Sequence, residues 1–440
     1  MATGWRAGAA RVDMTPPLGV GLTGYALRPG PASTVHDPIT ARALVLSNGE
    51  RNAALVSVDL LALSAAHVAT VRAAAESCGI PAEHLLLNAT HTHAGPATVT
   101  LRAMGPVDPD YAALVPRWIA TALVRAQERL APAMLSFGTA PTAIGINRRE
   151  ARKGQIVLGR NPTGPYDPTL YALRVARPDG TPIAVWFSHA THPVVMGSEN
   201  TGLSAEWPGA ACATIEGALG GGCLALFAQG CAGDINPQRR GGLDVVRSVG
   251  RECAGAALQA IETAQPVEGD AIAGAREIVP LPYLVPTRAD AEARLAEMER
   301  QQAAFRAAIA AGERPPHHQW YADEMVAWAR DYLAAAEREA APCPLEVQAL
   351  RLGDVMIVAT AGETFSEIGM ALQRRSPLRR TIALGYTNGC VGYLPTAKAY
   401  PEGGYEIQGA LRFYGTLMVA PESEALILAA GERLMARAAE

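Results

Sequence analysis

Five short apolar runs in this chain each lead into polar side chains, and that recurrence constrains the fold more than any single motif does. Leu85-Leu86-Leu87 runs into Asn88 and then His91 and His93, residues 182–187 run into His189 and His192, and residues 223–227 lead to Asp234 and Asn236. Residues 355–359 lead to Glu363, and residues 382–384 to Thr387 and Asn388. Short apolar runs bounded by polar, Gly or Pro residues read as buried strands. Helical stretches lie between them. Residues 65–77 are stopped by Gly79, a second helix has Asp108 as N-cap and Pro109 at its first position, and others cover residues 205–219 and start at Ser423. The alternation predicts an α/β fold with a mixed β-sheet core flanked by helices. In such a core, side chains just beyond the carboxyl ends of strands gather on one rim, where ligands bind.

Other segments read differently. Residues 5–26, punctuated by Pro16, Pro17, Gly19, Gly21 and Gly24, suggest turns against a sheet edge, and Asn147-Arg148-Arg149 and Gly159-Arg160-Asn161-Pro162 read as loop. Residues 287–341 are rich in Ala, Glu and Arg with helical periodicity and break once at Gly312-Glu313-Arg314-Pro315-Pro316. They predict a helical hairpin inserted into a single catalytic domain spanning residues 1–440.

With 440 residues and 49% hydrophobic content, the chain can bury a large core. A net charge of -4, a pI near 6.2 and the lack of a basic run argue against nucleic acid or an anionic membrane as partners. Met1 to Arg6 shows no charged segment followed by an apolar one, and no apolar stretch reaches the roughly 18–20 residues of a membrane span. The expectation is a cytoplasmic protein without stable membrane association, acting on a small molecule; nothing in the pattern specifies an oligomer. The seven cysteines are scattered and never form Cys-x-x-Cys, which predicts reduced thiols.

Two imidazoles at i and i+2 on an extended segment point to opposite faces, so His91 and His93 should not both ligate one ion unless the chain turns between them. Two histidines and a carboxylate from distant strand ends make a three-ligand set, which leaves an open position on Zn2+, the predicted cofactor. His36 stands alone and reads as a hydrogen-bonded loop histidine, with a supporting role at the site as the alternative.

These segments resemble the neutral/alkaline, non-lysosomal ceramidase family. Thr90-His91-Thr92-His93-Ala94-Gly95-Pro96 is similar to that family's Gly-Thr-His-Thr-His-Ser-Gly-Pro, Ala190-Thr191-His192-Pro193 to its Ala-Val-His-Pro, and Gly233-Asp234-Ile235-Asn236-Pro237 to its Gly-Asp-Val-Ser-Pro-Asn. Gly362-Glu363-Thr364, Asn147-Arg148 and Gly404-Tyr405-Glu406 extend the likeness. The resemblance implies a zinc ion held by His91, His192, Glu363 and Tyr405, with His93 as acid/base residue and Arg148 as partner of a substrate oxygen. It gives His189 no counterpart; His36, His189, Asp234, Asn236 and Asn388 are carried as candidates for supporting or substrate contacts.

Three departures bear on substrate. A serine essential to the family precedes the proline of its Gly-Asp-Val-Ser-Pro motif, whereas Ile235-Asn236 offers no hydroxyl. The family's C-terminal immunoglobulin-like domain has no counterpart, and no signal segment is evident. The expectation is therefore a metal-dependent hydrolase that uses metal-activated water on an amide, ester or lactone carbonyl of a small soluble substrate, with Ile235 lining a reshaped pocket. The alternatives are an N-acyl-sphingosine amidohydrolase and a non-catalytic metal- or ligand-binding homologue.

Overall fold

The computed structural model describes residues 4–337 and 341–440. The mixed β core is divided among three principal sheets. In spatial order, the first contains Leu85–Ala89, Asn52–Val58, Thr40–Ser47, Arg6–Asp13 and Ala131–Pro132. The second contains Leu224–Gln229, Pro182–His189, Thr169–Ala176, Met134–Pro141 and Gln265–Pro266. The third contains Ile272–Leu281, Cys343–Leu352, Val355–Thr360 and Arg380–Leu384.

Each sheet is antiparallel except for one parallel pair at its edge: Asn52–Val58 with Leu85–Ala89, Pro182–His189 with Leu224–Gln229, and Val355–Thr360 with Arg380–Leu384. A parallel pair needs a crossover, and here the helices Ala65–Ser77, Glu206–Leu219 and Ser366–Arg374 supply one each. The second strands of these pairs are apolar and buried almost throughout, as parallel strands covered on both faces must be.

Those three edge strands meet. Isolated bridges pair Asn88 with Thr387 and Gly230 with Leu384. Asn88 Oδ1 accepts the Gln229 backbone N–H at 2.7 Å, and its Nδ2 donates to the Gly385 carbonyl at 2.9 Å and to Thr387 Oγ1 at 3.0 Å. One buried amide thus ties all three sheets together at their carboxyl ends.

Helix boundaries follow local chemistry. Ser64 accepts from the His67 backbone N–H, and Asp108 accepts from Asp110 and Tyr111 with Pro109 in the first turn. Two segments depart from expectation. Arg6–Asp13 is a full strand instead of turns, because small residues are needed where it lies under the helix Pro109–Glu128; a Cβ on Gly8 would sit 2.1 Å from the Ala126 carbonyl oxygen. The expected loop at residues 147–162 is instead a hairpin of Gly145–Arg152 and Gln155–Asn161. Its buried residues include Asn147, Arg148 and Arg149, so no apolar alternation marks it in the sequence.

The helical insertion is formed by Arg288–Ala310 and His318–Ala335, packed on the third sheet's side through Met298, Met325 and Trp328; residues 338–340 at its end lie outside the described residues. Arg102 ties it to the core by pairing with Glu324 and Asp331. No helix among the described residues is long and apolar enough to cross a membrane, and all seven cysteines are free.

Asn88→Ala removes the tie and leaves the buried Gln229 N–H without its acceptor. It should cost about 2–4 kcal/mol in urea unfolding. A loss under about 0.5 kcal/mol would show that the sheets are held together without it.

Candidate metal centre

The strand Leu85–Ala89 ends before its histidines, and His91 adopts φ +65°, in the left-handed region that side chains of L-residues seldom occupy. This turn overrides the alternation expected of an extended segment. His91 and His93 face the same point, with their Nε2 atoms 3.3 Å apart. Gly24 makes the room: a Cβ there would lie 2.6 Å from the His93 ring. His192 follows the end of Pro182–His189 and Glu363 follows Val355–Thr360, so three parallel-strand ends converge. One ring nitrogen from each of His91, His93 and His192 lies within 4.8 Å of the others.

The outward nitrogens settle the tautomers. His91 Nδ1 lies 2.7 Å from the Leu61 carbonyl, His93 Nδ1 2.9 Å from that of Gly24, and His192 Nδ1 2.7 Å from that of Ala232. Carbonyls only accept, so each Nδ1 carries the proton and each Nε2 presents a lone pair to the shared centre. Glu363 Oε2 adds an acceptor 3.1 Å from His192 Nε2 and 3.4 Å from His91 Nε2. Lone pairs turned on one another in a buried site call for a cation, and backbone carbonyls on the second ring nitrogens are the usual support of metal-binding imidazoles. Imidazole nitrogen with carboxylate oxygen is a donor set that suits zinc. Burial, and then the Arg148 cation, bring His192 down to about 4; burial, and then His91 and His192, put His93 well below the usual imidazole value.

Tyrosines that the sequence reading left unassigned frame this carboxylate. Tyr414 donates to Glu363 Oε1, and the Tyr386 hydroxyl lies 3.3 Å from Oε2. Tyr405 packs edge-on against Tyr393 with the Arg148 guanidinium 5.9 Å from its ring; among the described residues its hydroxyl makes no hydrogen bond to Glu363 or the imidazoles. The signal for Tyr386 and Tyr414 was available only in part: Tyr386 follows a predicted strand, whereas Tyr414 stands past a single wide π turn, Tyr405–Gly409, that no periodicity announces.

Arg148 enters from the hairpin. Its Nε donates to Glu406 at 2.8 Å and its Nη2 to the Tyr393 hydroxyl at 2.8 Å, while Nη1 lies 3.4 Å from His192 Nε2 and 3.3 Å from Asn236 Oδ1. Burial would lower it, but Tyr393, Glu406 and Glu363 hold it well above the usual guanidinium value, so it stays charged.

The remaining candidates separate. Asp234 joins three segments, accepting from Asn147 Nδ2 at 2.9 Å and from the Ser366 N–H at 2.8 Å. Asn388 holds strands together, accepting from the Leu87 N–H and donating to Glu346 and Gln348. His189 is spent on Tyr166 and the Thr169 carbonyl, and His36 on Asn200. Ile235 does not line the site as expected. Its side chain is fully buried against Ala232 and Tyr386, and it is Asn236 that reaches Arg148.

Burial raises Asp234 from an ordinary 3.8 to about 6. The folded state then holds this proton more tightly than the unfolded one, so the contribution is fully present below pH 3.8 and is lost as pH rises to about 6. Asp234→Asn removes the dependence. With chelator present, the variant should gain roughly 3 kcal/mol relative to the parent between pH 4 and pH 7 in urea unfolding. A constant difference between the two would sink the assignment.

Residues 5–278 match the family described as neutral/alkaline non-lysosomal ceramidase, N-terminal. No curated protein matches the sequence. The fold is similar to that of the neutral ceramidase from Pseudomonas aeruginosa, with a TM-score of 0.74 and 21% identity over 99% of this chain and 75% of that one. It is also similar to a structure described as ceramidase complexed with C2, with a TM-score of 0.73 and 19% identity over 98% of this chain and 75% of that one. The family match ends before Glu363, but the structural likeness spans nearly the whole chain. With two strand ends carrying the family's histidine motifs to one point, the chain belongs to the neutral/alkaline non-lysosomal ceramidase family of hydrolases.

Proposed function

We propose that this protein is a zinc-dependent amidohydrolase that cleaves the N-acyl bond of a ceramide-type substrate. The observation that carries the proposal is the convergence of three unprotonated Nε2 atoms and a carboxylate in a buried site. The family and the two solved neighbours, both ceramidases by name, support an N-acyl-sphingosine substrate over the small soluble amide, ester or lactone preferred from sequence.

His91, His192 and Glu363 are the ligands in this reading, because Glu363 Oε2 meets both imidazoles. When bound, zinc supplies a Lewis acid and lowers the pKa of its water to roughly 7. His93 is the acid/base residue. It is only partly buried, whereas His91 and His192 are fully enclosed, and its neutral Nε2 faces the reacting space. It takes a proton from water as the oxygen attacks the amide carbon. The C–N bond then breaks as His93 returns that proton to the leaving nitrogen, giving a carboxylic acid and an amine, and the acid's remaining proton passes to the amine, leaving a carboxylate and an ammonium group. Arg148 Nη1, held by Glu406 and Tyr393, faces the oxygen that becomes negative. Tyr414 and Tyr386 fix the rotamer of Glu363, and the Tyr405 ring lies beside the Arg148 guanidinium. Asn236 stands where the family serine is expected, so this chain uses water without a hydroxyl nucleophile there.

Metal analysis and turnover of a short-chain N-acyl-sphingosine test the reading together. His192→Ala should lose the zinc. His93→Ala should keep it and lose about 10²–10⁴-fold in turnover. Equal loss of metal in both variants would make His93 a ligand. Cleavage of small lactones or esters in preference to the sphingosine amide would overturn the substrate.

A further inference from the structure

A cavity of about 600 Å3 lies beside the metal centre, on the far side of Tyr414. That volume falls within the roughly 300–1,000 Å3 range of small-molecule sites. None of the three clustered imidazoles lines it. Its walls are mainly apolar, from Leu61, Leu63, Val68, Val99, Leu101 and Ile278.

The charged groups in that wall are few and unbalanced. They are Arg72, Arg276 and Glu346. Arg72 takes both carboxylate oxygens of Glu346, and Asn388 Nδ2 donates to one of them at 3.0 Å, so Glu346 is largely satisfied. Arg276 is left at 3.5 Å from Glu346 and makes no hydrogen bond among the described residues. Arg72 Nε is buried without a partner. Two guanidinium groups against one carboxylate leave a single positive charge in an apolar pocket, with the Nε of Arg72 unspent beside it.

We propose that this cavity is a second ligand site, taking a medium-chain carboxylate. The planar head matches the guanidinium fork of Arg276, and its single negative charge matches the single excess positive charge. The alkyl chain lies along Leu63, Val68 and Leu101 toward Tyr414. A fatty amine is excluded by like charge, and a fatty alcohol lacks the ion pair. A carboxylate of this kind is also the class of product that amide hydrolysis releases, but binding here does not depend on that reaction.

Isothermal titration of decanoate into the full chain, below its micelle concentration, tests the proposal. Decanoate should bind with and without chelator, decanol should bind more weakly, and decylamine should not bind. Arg276→Gln should weaken decanoate by about 10-fold, the loss of one charge-assisted contact. Arg276 is exposed on its strand, so this variant should fold. Ile278→Asp, at a side chain about half exposed at the same wall, should weaken it by placing a repelling carboxylate there. Unchanged affinity in Arg276→Gln, decanol binding as tightly as decanoate, or loss of binding on chelation would each overturn the site. The first two leave the metal-centre reading untouched, and the third moves the carboxylate onto the metal.

Discussion

The site depends on the amide of Asn88, which satisfies groups from two other sheets at once. The edge strands of three βαβ units would otherwise present unpaired backbone at their carboxyl ends, in a dry interior where each such group is costly. An amide side chain offers an acceptor and two donors on one rigid plane, and Asn88 spends them on Gln229, Gly385 and Thr387. Neither a carboxylate nor an apolar residue has that complement. The backbone follows the same seam: the Ala89 N–H donates to the Tyr386 carbonyl and the Asn388 N–H to the Leu87 carbonyl. Once these ends are locked, His91, Glu363 and Tyr386 have little freedom in where they emerge.

Strain and charge are concentrated just beyond that lock. His91, Tyr386 and Asn388 all have positive φ, a conformation that persists in non-glycine residues when the surroundings over-determine it. Glu406 is buried between Arg148 and Arg149, each at 2.8 Å. Burying such a group is a poor way to gain stability, since desolvation offsets much of the attraction. Its effect here is directional. With Nε tied to Glu406 and Nη2 to Tyr393, Arg148 has only Nη1 to turn toward His192 and Asn236.

The sequence made legible those features that rest on local chemistry. The apolar runs ending in His91, His192 and Glu363 identified buried strands whose ends converge, and Asp108-Pro109 marked a helix start that the side chain of Asp108 indeed caps. Features that rest on tertiary pairing were not legible. Arg148 and Arg149 read as loop because charged residues seldom line a buried strand; Glu406, far along the chain, is what permits it. The turn at His91 was hidden because histidine carries no signal for positive φ comparable to glycine's. The division of the core into three sheets was hidden because each βαβ unit looks alike in sequence, whether it extends one sheet or edges its own.

The Ile235-Asn236 pair shows how a motif can mislead when its two faces are not separated. Residues in a strand alternate, and Ile235–Pro237 pairs antiparallel with the hairpin through Ile235 opposite Asn147 and Asn236 opposite Ile146. One of the pair must therefore face inward. Ile235 does so, filling the space between Ala232 and Tyr386, while its carbonyl lies 3.0 Å from His192 Nδ1. Its apolar side chain thus serves packing and its backbone orients a candidate ligand, and neither depends on substrate. The departure that bears on chemistry is Asn236 alone. Its amide oxygen gives Arg148 Nη1 a partner 3.3 Å away in the enzyme without substrate. An amide at this position therefore supplies an acceptor for the arginine beside it, which holds Nη1 on the side of the imidazole cluster.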